Sequence, residues 1–99
     1  MIPLSRTAER QLDELTRHYA GRERDEAIEH LIQSVERASA RYQARRGLFY
    51  NAPRPYPSLV RPGWKWTKEG RYWIAFREGK HGPVISAIFH EAADIPRRL

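Results

Sequence analysis

The segment RYWIAFREGKHGPVISAIFH, residues 71–90, decides the fold because its apolar side chains recur at every second position. Tyr72, Ile74 and Phe76 share one face of a predicted strand. The intervening residues share the opposite face: Trp73, Ala75 and Arg77. The stretch REGKHGP has two glycines and a proline, which predicts a turn, and VISAIFH is apolar on both faces, which predicts a central strand.

Another strand is predicted just upstream, where WKW places Trp64 and Trp66 on one face and Lys65 on the other. The three predicted strands lie near residues 63–68, 71–78 and 83–90. The links between them are short, so neighbouring strands are expected to run antiparallel. The segment 47–58, GLFYNAPRPYPS, contains three prolines and is predicted to be a loop with one short strand piece.

The first 46 residues instead show the period of amphipathic helices. Apolar side chains recur at spacings of three and four: Ala8, Leu12, Leu15 and Tyr19 in the first stretch. Helices are therefore predicted near residues 5–20 and 24–46. Ser5 is expected to cap the first helix and Gly21 to end it, and Gly47 is expected to end the second.

The order of helix, helix and three strands predicts an α+β fold in one domain spanning residues 1–99. An N-terminal antiparallel helical hairpin is expected to pack on a small antiparallel β-sheet. The hairpin has an apolar face that needs a cover, and part of the surface formed by the three tryptophans is expected to supply it.

Charge is distributed unevenly along the chain. Residues 1–40 carry six Lys and Arg against eight Asp and Glu, residues 41–82 carry ten against two, and residues 83–99 carry two against two. The formal charges are thus −2, +8 and 0. This asymmetry favours an anionic partner at the middle segment, either nucleic acid or an acidic polypeptide.

Several classes of protein are disfavoured by what the sequence lacks. It has no cysteine, no apolar run that suits a signal peptide and none that would span a membrane, which predicts a cytoplasmic protein without a membrane partner. No phosphate-binding glycine motif or nucleophile elbow occurs, so no cofactor is expected. The stretch HEAAD, residues 90–94, lacks the second histidine of a zinc-protease motif, so no metal is expected.

The chain resembles, loosely from about residue 4 to 99 and distinctively only near its C-terminus, the RelE/ParE superfamily of toxins from type II toxin–antitoxin modules. The resemblance is to its ParE branch (plasmid stabilisation proteins) in particular. That branch has an aromatic strand of the form Y-x-I-x-Y/F, matched here by Tyr72, Ile74 and Phe76. It then has an apolar strand running into His, two variable residues, Arg, Asp and Ile. His90, Asp94 and Ile95 match this second element, whereas Ala93 replaces the arginine.

The resemblance implies a bacterial toxin that inhibits growth by binding DNA gyrase and is neutralised by a cognate antitoxin. RelE-type relatives instead cut mRNA inside the ribosome, and this remains the enzymatic alternative. A third alternative is a non-toxic nucleic-acid-binding or regulatory module on the same fold.

The candidate site residues follow from these alternatives. A nuclease needs cations to stabilise the transition state and a general acid or base. Its candidates here are Arg61, Lys65, Lys68, Arg71, Tyr72, Arg77 and His90. Tryptophan beside arginine is typical of binding hot spots, although core packing and base stacking also explain it. The candidates for binding target or antitoxin are Arg61, Trp64, Lys65, Trp66, Arg71, Trp73, Arg77, His90, Asp94, Arg97 and Arg98.

Overall fold

Two helices precede three antiparallel strands, which confirms the predicted α+β fold. The structure is a computed structural model that describes residues 1–93 and Ile95. Its elements are α1 (Arg6–Gly21), α2 (Asp25–Gln43), β1 (Lys65–Glu69), β2 (Tyr72–Gly79) and β3 (Gly82–His90). The helical hairpin packs on one face of the sheet, as predicted. In the described part of the chain, no helix is both long and apolar enough to cross a membrane.

The start of α1 was predicted correctly, but the C-terminal ends of α1 and α2 were not. Ser5 Oγ accepts a hydrogen bond from the Ala8 N–H at 3.1 Å, as a capping residue should. Gly21 stays inside α1, and the chain instead turns at Glu23, whose φ is 55°. Similarly, α2 ends at Gln43, before Gly47, because Arg45 adopts a φ of 54°. A left-handed residue frees the chain to bond back to the last turn and so ends the helix.

The strand order is β1-β2-β3, so β2 is the central strand and the prediction that β3 is central was wrong. The outer edge of β3 is partly covered by the N-terminal segment. Ile85 donates its N–H to the Pro3 carbonyl at 2.8 Å and accepts from the Ser5 N–H at 2.9 Å. β3 is apolar on both faces because both of its faces are buried, although it has only one full strand as neighbour.

A bulge in β3 explains why two residues three positions apart face the same core, which strict alternation of side chains does not allow. Ala75 pairs with Ala87, but Phe76 pairs with Ile85, so Ser86 is the extra residue. As a result Ile85 and Ile88, three positions apart, both join the core beneath the helices.

The sheet has a hydrophobic core on each face. The first core lies between the sheet and the helices and contains Leu31, Val35, Tyr72, Ile74 and Phe76, among others. The second core lies on the opposite face and contains Trp66, Trp73, Ala75, Ala87, Phe89 and Ile95. The expectation that the tryptophans cover the helical hairpin was therefore wrong, because Tyr72, Ile74 and Phe76 already occupy that face.

The proline-rich loop covers the second core. Tyr50, Tyr56, Leu59 and Trp64 pack against it. The predicted short strand piece is Tyr50, which exchanges two backbone hydrogen bonds with Trp66 at 2.7 and 2.6 Å along the outer edge of β1.

Two leucines provide a matched test of the first core. Leu31 is 0% exposed in α2, whereas Leu48 is 69% exposed in the loop. Leu31→Ala removes buried methyl groups and leaves a cavity, so it should lower the free energy of unfolding by about 2–5 kcal/mol. Leu48→Ala should change it by less than about 0.5 kcal/mol. Urea denaturation measures both, and equal losses would contradict the burial of α2 on the sheet.

Candidate binding groove

An open groove lies where the turn between α1 and α2 meets the β1–β2 turn and the end of β3. Its volume is about 960 Å³, and its walls include Tyr19, Arg24, Arg71, Tyr72 and His90. A second hollow of about 490 Å³ continues between α1 and β3 and shares Tyr19, Arg24 and His90 with the first. We call the two together the hairpin-end groove.

A pair of tyrosines forms the floor of the hairpin-end groove. The Tyr19 and Tyr72 hydroxyl oxygens are 2.6 Å apart, and the two residues are 7% and 4% exposed. Burial, followed by the hydrogen bond with Tyr19, raises the pKa of Tyr72 well above its ordinary value; Arg71 and Arg24 oppose the shift. Tyr72 therefore keeps its proton at neutral pH, so its hydroxyl can take part in hydrogen bonds but does not act as a base there.

His90 brings an imidazole to the same place. Its ring lies edge-on to Tyr72 with the centroids 5.5 Å apart. Its Nδ1 accepts a hydrogen bond from the Ala92 N–H at 3.0 Å, which places the proton of the neutral ring on Nε2. Protonation of Nδ1 would break that bond. The tautomer of His90 is therefore linked to the conformation of the turn that follows β3, because the Ala92 N–H belongs to that turn.

Charges of both signs surround the groove. Basic side chains line it on several sides: Arg24, His30, Arg37 and Arg71. Acidic side chains lie at the start of α2 and just before it: Glu23, Asp25 and Glu26. A ligand that carries both charges, such as a polypeptide segment, matches this lining better than a uniformly charged polymer.

The structure brings together only some of the candidate nuclease residues. Arg71, Tyr72 and His90 share the hairpin-end groove. Lys65 pairs with Phe76 in the sheet, and Phe76 lies four residues from Tyr72, or about 13 Å along the strand. Arg77 lies one residue further away.

The other predicted cations have neighbours outside the groove. Arg61 lies over the Trp64 ring at 5.0 Å, and Lys65 donates to Asn51 Oδ1 at 2.7 Å. Lys68 pairs with Glu91 at 2.7 Å, and this hydrogen bond lowers the pKa of the Glu91 carboxyl.

The predicted binding residues are likewise divided. Trp66 and Trp73 are buried at 0% and 4% exposure, so their rings are not free surface, and Trp64 is half-buried. Ala93, which replaces the arginine of the resembled pattern, packs against the second core. The predictions for Asp94, Arg97 and Arg98 lie outside the described residues.

The groove residues that sequence reasoning missed include Tyr19, Arg24, His30 and Arg37. Tyr19 was assigned to the apolar face of the first helix, which is correct, but its hydroxyl meets that of a residue 53 positions away. The helical period gave no signal for this contact. The helix turn carries Arg24, and its position near Tyr72 follows only from the packing of the hairpin on the sheet.

Comparison of the chain with known protein families and with curated proteins finds no match. Among the described residues, no three His, Asp or Glu side chains are grouped closely enough to hold a metal ion.

The tyrosine pair predicts a non-additive response to mutation. Tyr19→Phe or Tyr72→Phe alone leaves one buried hydroxyl without its partner, and each should lower the free energy of unfolding by about 1–3 kcal/mol. The double variant should lose clearly less than the sum, because both hydroxyls are gone. Additive losses in urea denaturation would show that the hydroxyls do not interact.

The same pair predicts a dependence on pH. The pKa of Tyr72 is raised in the folded state, so its stabilising effect is complete below the unfolded pKa of about 10 and is lost as pH rises further. The stability difference between the wild type and Tyr72→Phe should therefore shrink above pH 10. A stability difference that grows above pH 10 would contradict a raised pKa of Tyr72 in the folded state.

Proposed function

We propose that the protein is the toxin of a type II toxin–antitoxin module that acts in the bacterial cytoplasm by binding DNA gyrase, and that a cognate antitoxin neutralises it. Support comes from the resemblance of the chain to the ParE branch, which is most distinctive near the C-terminus. The α+β order of two helices and an antiparallel sheet is the fold that this resemblance implies. In that fold, Tyr72, Ile74 and Phe76 form one face of the central strand.

The observation that favours an inhibitor over a nuclease is that only Arg71, Tyr72 and His90 converge, while the other candidate cations lie elsewhere. Lys65 and Arg77 lie toward one end of the sheet, whereas Tyr72 and His90 lie at the other end. A phosphoryl-transfer site needs its cations and its proton donor within hydrogen-bond reach of one phosphate. Inhibition by binding alone needs no such convergence.

The antitoxin is proposed to lie along the hairpin-end groove. The groove has half-buried apolar side chains, including Leu15, beside charges of both signs. The +8 charge of residues 41–82 would attract an acidic partner and accelerate its association.

A ribosome-dependent mRNA endonuclease is the second candidate. It is favoured by one arrangement, the presence of Arg71, Tyr72 and His90 in the same groove. A cation, a protonated phenol and an imidazole are the groups that such a reaction requires. Ala93 in place of the usual arginine weakens any role that depends on that cation, whether in a nuclease or in a gyrase inhibitor.

Expression in a bacterial host separates these functions. A gyrase inhibitor should arrest growth, induce DNA-damage signalling and produce strand breaks that depend on gyrase. Tyr72→Phe, Arg77→Ala and His90→Ala should each retain part of the toxicity, because binding energy is spread over a surface. Loss of one catalytic group would instead reduce the rate by about a hundredfold or more.

The measurements are growth curves, a DNA-damage reporter and primer extension on mRNA from induced cells. Arg10→Ala on the exposed face of α1 serves as the control variant. Rapid mRNA cleavage at codon-phased positions that disappears in His90→Ala would establish the endonuclease instead. Normal growth at confirmed expression would favour the non-toxic module.

A further inference from the structure

The surface beside the proline-rich loop has an unusual charge pattern, which the proposed function uses only for the general attraction of an acidic partner. Between Glu36 and Glu69 the chain has eight Lys and Arg and no Asp or Glu. In the structure these residues include the end of α2, the whole loop and most of β1. A cationic surface this long is therefore not neutralised by carboxylates within its own segment.

Three of these cations form a strip across two hollows, which we call the loop strip: Lys65, Arg54 and Lys68. Lys65 and Arg54 line a hollow of about 530 Å³. Arg54 and Lys68 line the adjacent hollow, of about 510 Å³. Arg54 thus joins the two, and all three side chains are exposed.

Two of the three cations of the loop strip are held by neutral groups. The Arg54 guanidinium donates to the Tyr50 hydroxyl at 2.9 Å, and Lys65 donates to Asn51. Their charges are positioned but not cancelled. The exception is Lys68, which pairs with Glu91 in a half-exposed ion pair. Such a pair contributes little to stability, so another anion can readily replace Glu91 as the partner of Lys68.

Aromatic rings line both hollows beside the cations. Phe49 and Tyr50, both half-buried, line the first; Trp73 lines the second but is buried and supplies only an apolar wall. The Arg54 guanidinium carbon lies 5.1 Å from the centre of the Tyr50 ring. A planar guanidinium held against a ring by a hydrogen bond presents a flat face on which a nucleobase stacks.

We propose that the loop strip binds single-stranded nucleic acid without cleaving it. Its cations contact phosphates, and the Arg54 guanidinium together with the half-buried rings of Phe49 and Tyr50 stacks on bases. Cations that follow a groove lined with aromatic rings are the usual means of sequence-independent single-strand binding. An acidic polypeptide would use the charges but not the rings. The inference does not depend on the proposed function, since the loop strip lies outside the hairpin-end groove.

The test is fluorescence anisotropy with labelled dT20 and rU20, which distinguish DNA from RNA, at several salt concentrations. The variant R54Q/K65Q/K68Q should bind at least tenfold more weakly at low salt. Its plot of log affinity against log salt should be less steep by about 2, as expected for three lost phosphate contacts. The control R10Q/R17Q/K80Q removes the same charge from exposed positions elsewhere and should bind almost like the wild type.

A second variant separates stacking from charge. Arg54→Lys keeps the positive charge but removes the planar guanidinium group on which a base would stack. It should therefore weaken oligonucleotide binding severalfold with little change in salt dependence. Its affinity for poly-L-glutamate should not change.

Three outcomes would overturn the proposal: equal losses in the strip and control triple variants, wild-type binding that is absent at low salt, or tighter binding to poly-L-glutamate than to either oligonucleotide. The last result would identify an acidic polypeptide as the ligand. Circular dichroism checks the fold of each variant. Because Arg54 is exposed, Arg54→Lys keeps the test valid if the triple variant unfolds.

Discussion

The rest of the structure depends on the burial of β2 on both of its faces. Residues 72–76 are all buried, and the strand pairs with a neighbour along each edge. An antiparallel sheet commonly leaves one face to solvent, in which case alternate residues are polar. Here Tyr72, Ile74 and Phe76 enter one core while Trp73 and Ala75 enter the other, so both faces require a cover.

The two covers differ in ways that matter for function. The helical hairpin covers one face with regular structure, and its turn forms the wall of the hairpin-end groove. The other face is covered by a loop whose prolines and aromatic residues pack without a regular hydrogen-bond ladder. The loop buries apolar side chains such as Leu59 inward and leaves its basic residues outside. Burial of Trp66 and Trp73 thus leaves Arg54 and Lys65 at the surface. The aromatic and basic residues of the segment have different roles, although they alternate in the sequence.

Most of the fold could be predicted from the sequence because periodicity is a local property. The change from a helical period to alternation fixed the type and order of the elements. Alternation also indicated which residues share a face, but it does not reveal which cover lies over that face. The tryptophans were therefore assigned to the wrong side of the sheet. The bulge at Ser86 and the N-terminal segment beside Ile85 depend on contacts between distant parts of the chain, so they were missed.

The candidate site was less predictable for the same reason. Tyr72, Arg71 and His90 were identified by residue type alone. Their partner Tyr19 comes from the first helix, and only tertiary packing brings the two hydroxyls together. Residue types suitable for catalysis occurred along the whole basic segment, and the sheet register is what divides them between its two ends.

Native-state hydrogen exchange tests the central role of β2 most directly. If β2 is the shared wall of both cores, the Ile74 and Ala75 amides should exchange only through global unfolding. Their exchange free energies should equal the unfolding free energy from urea denaturation, and amides at the ends of α1 and in the loop should exchange faster. Exchange of the Ala75 amide well below the global value, with α2 still protected, would show that the second core forms separately and would contradict this account.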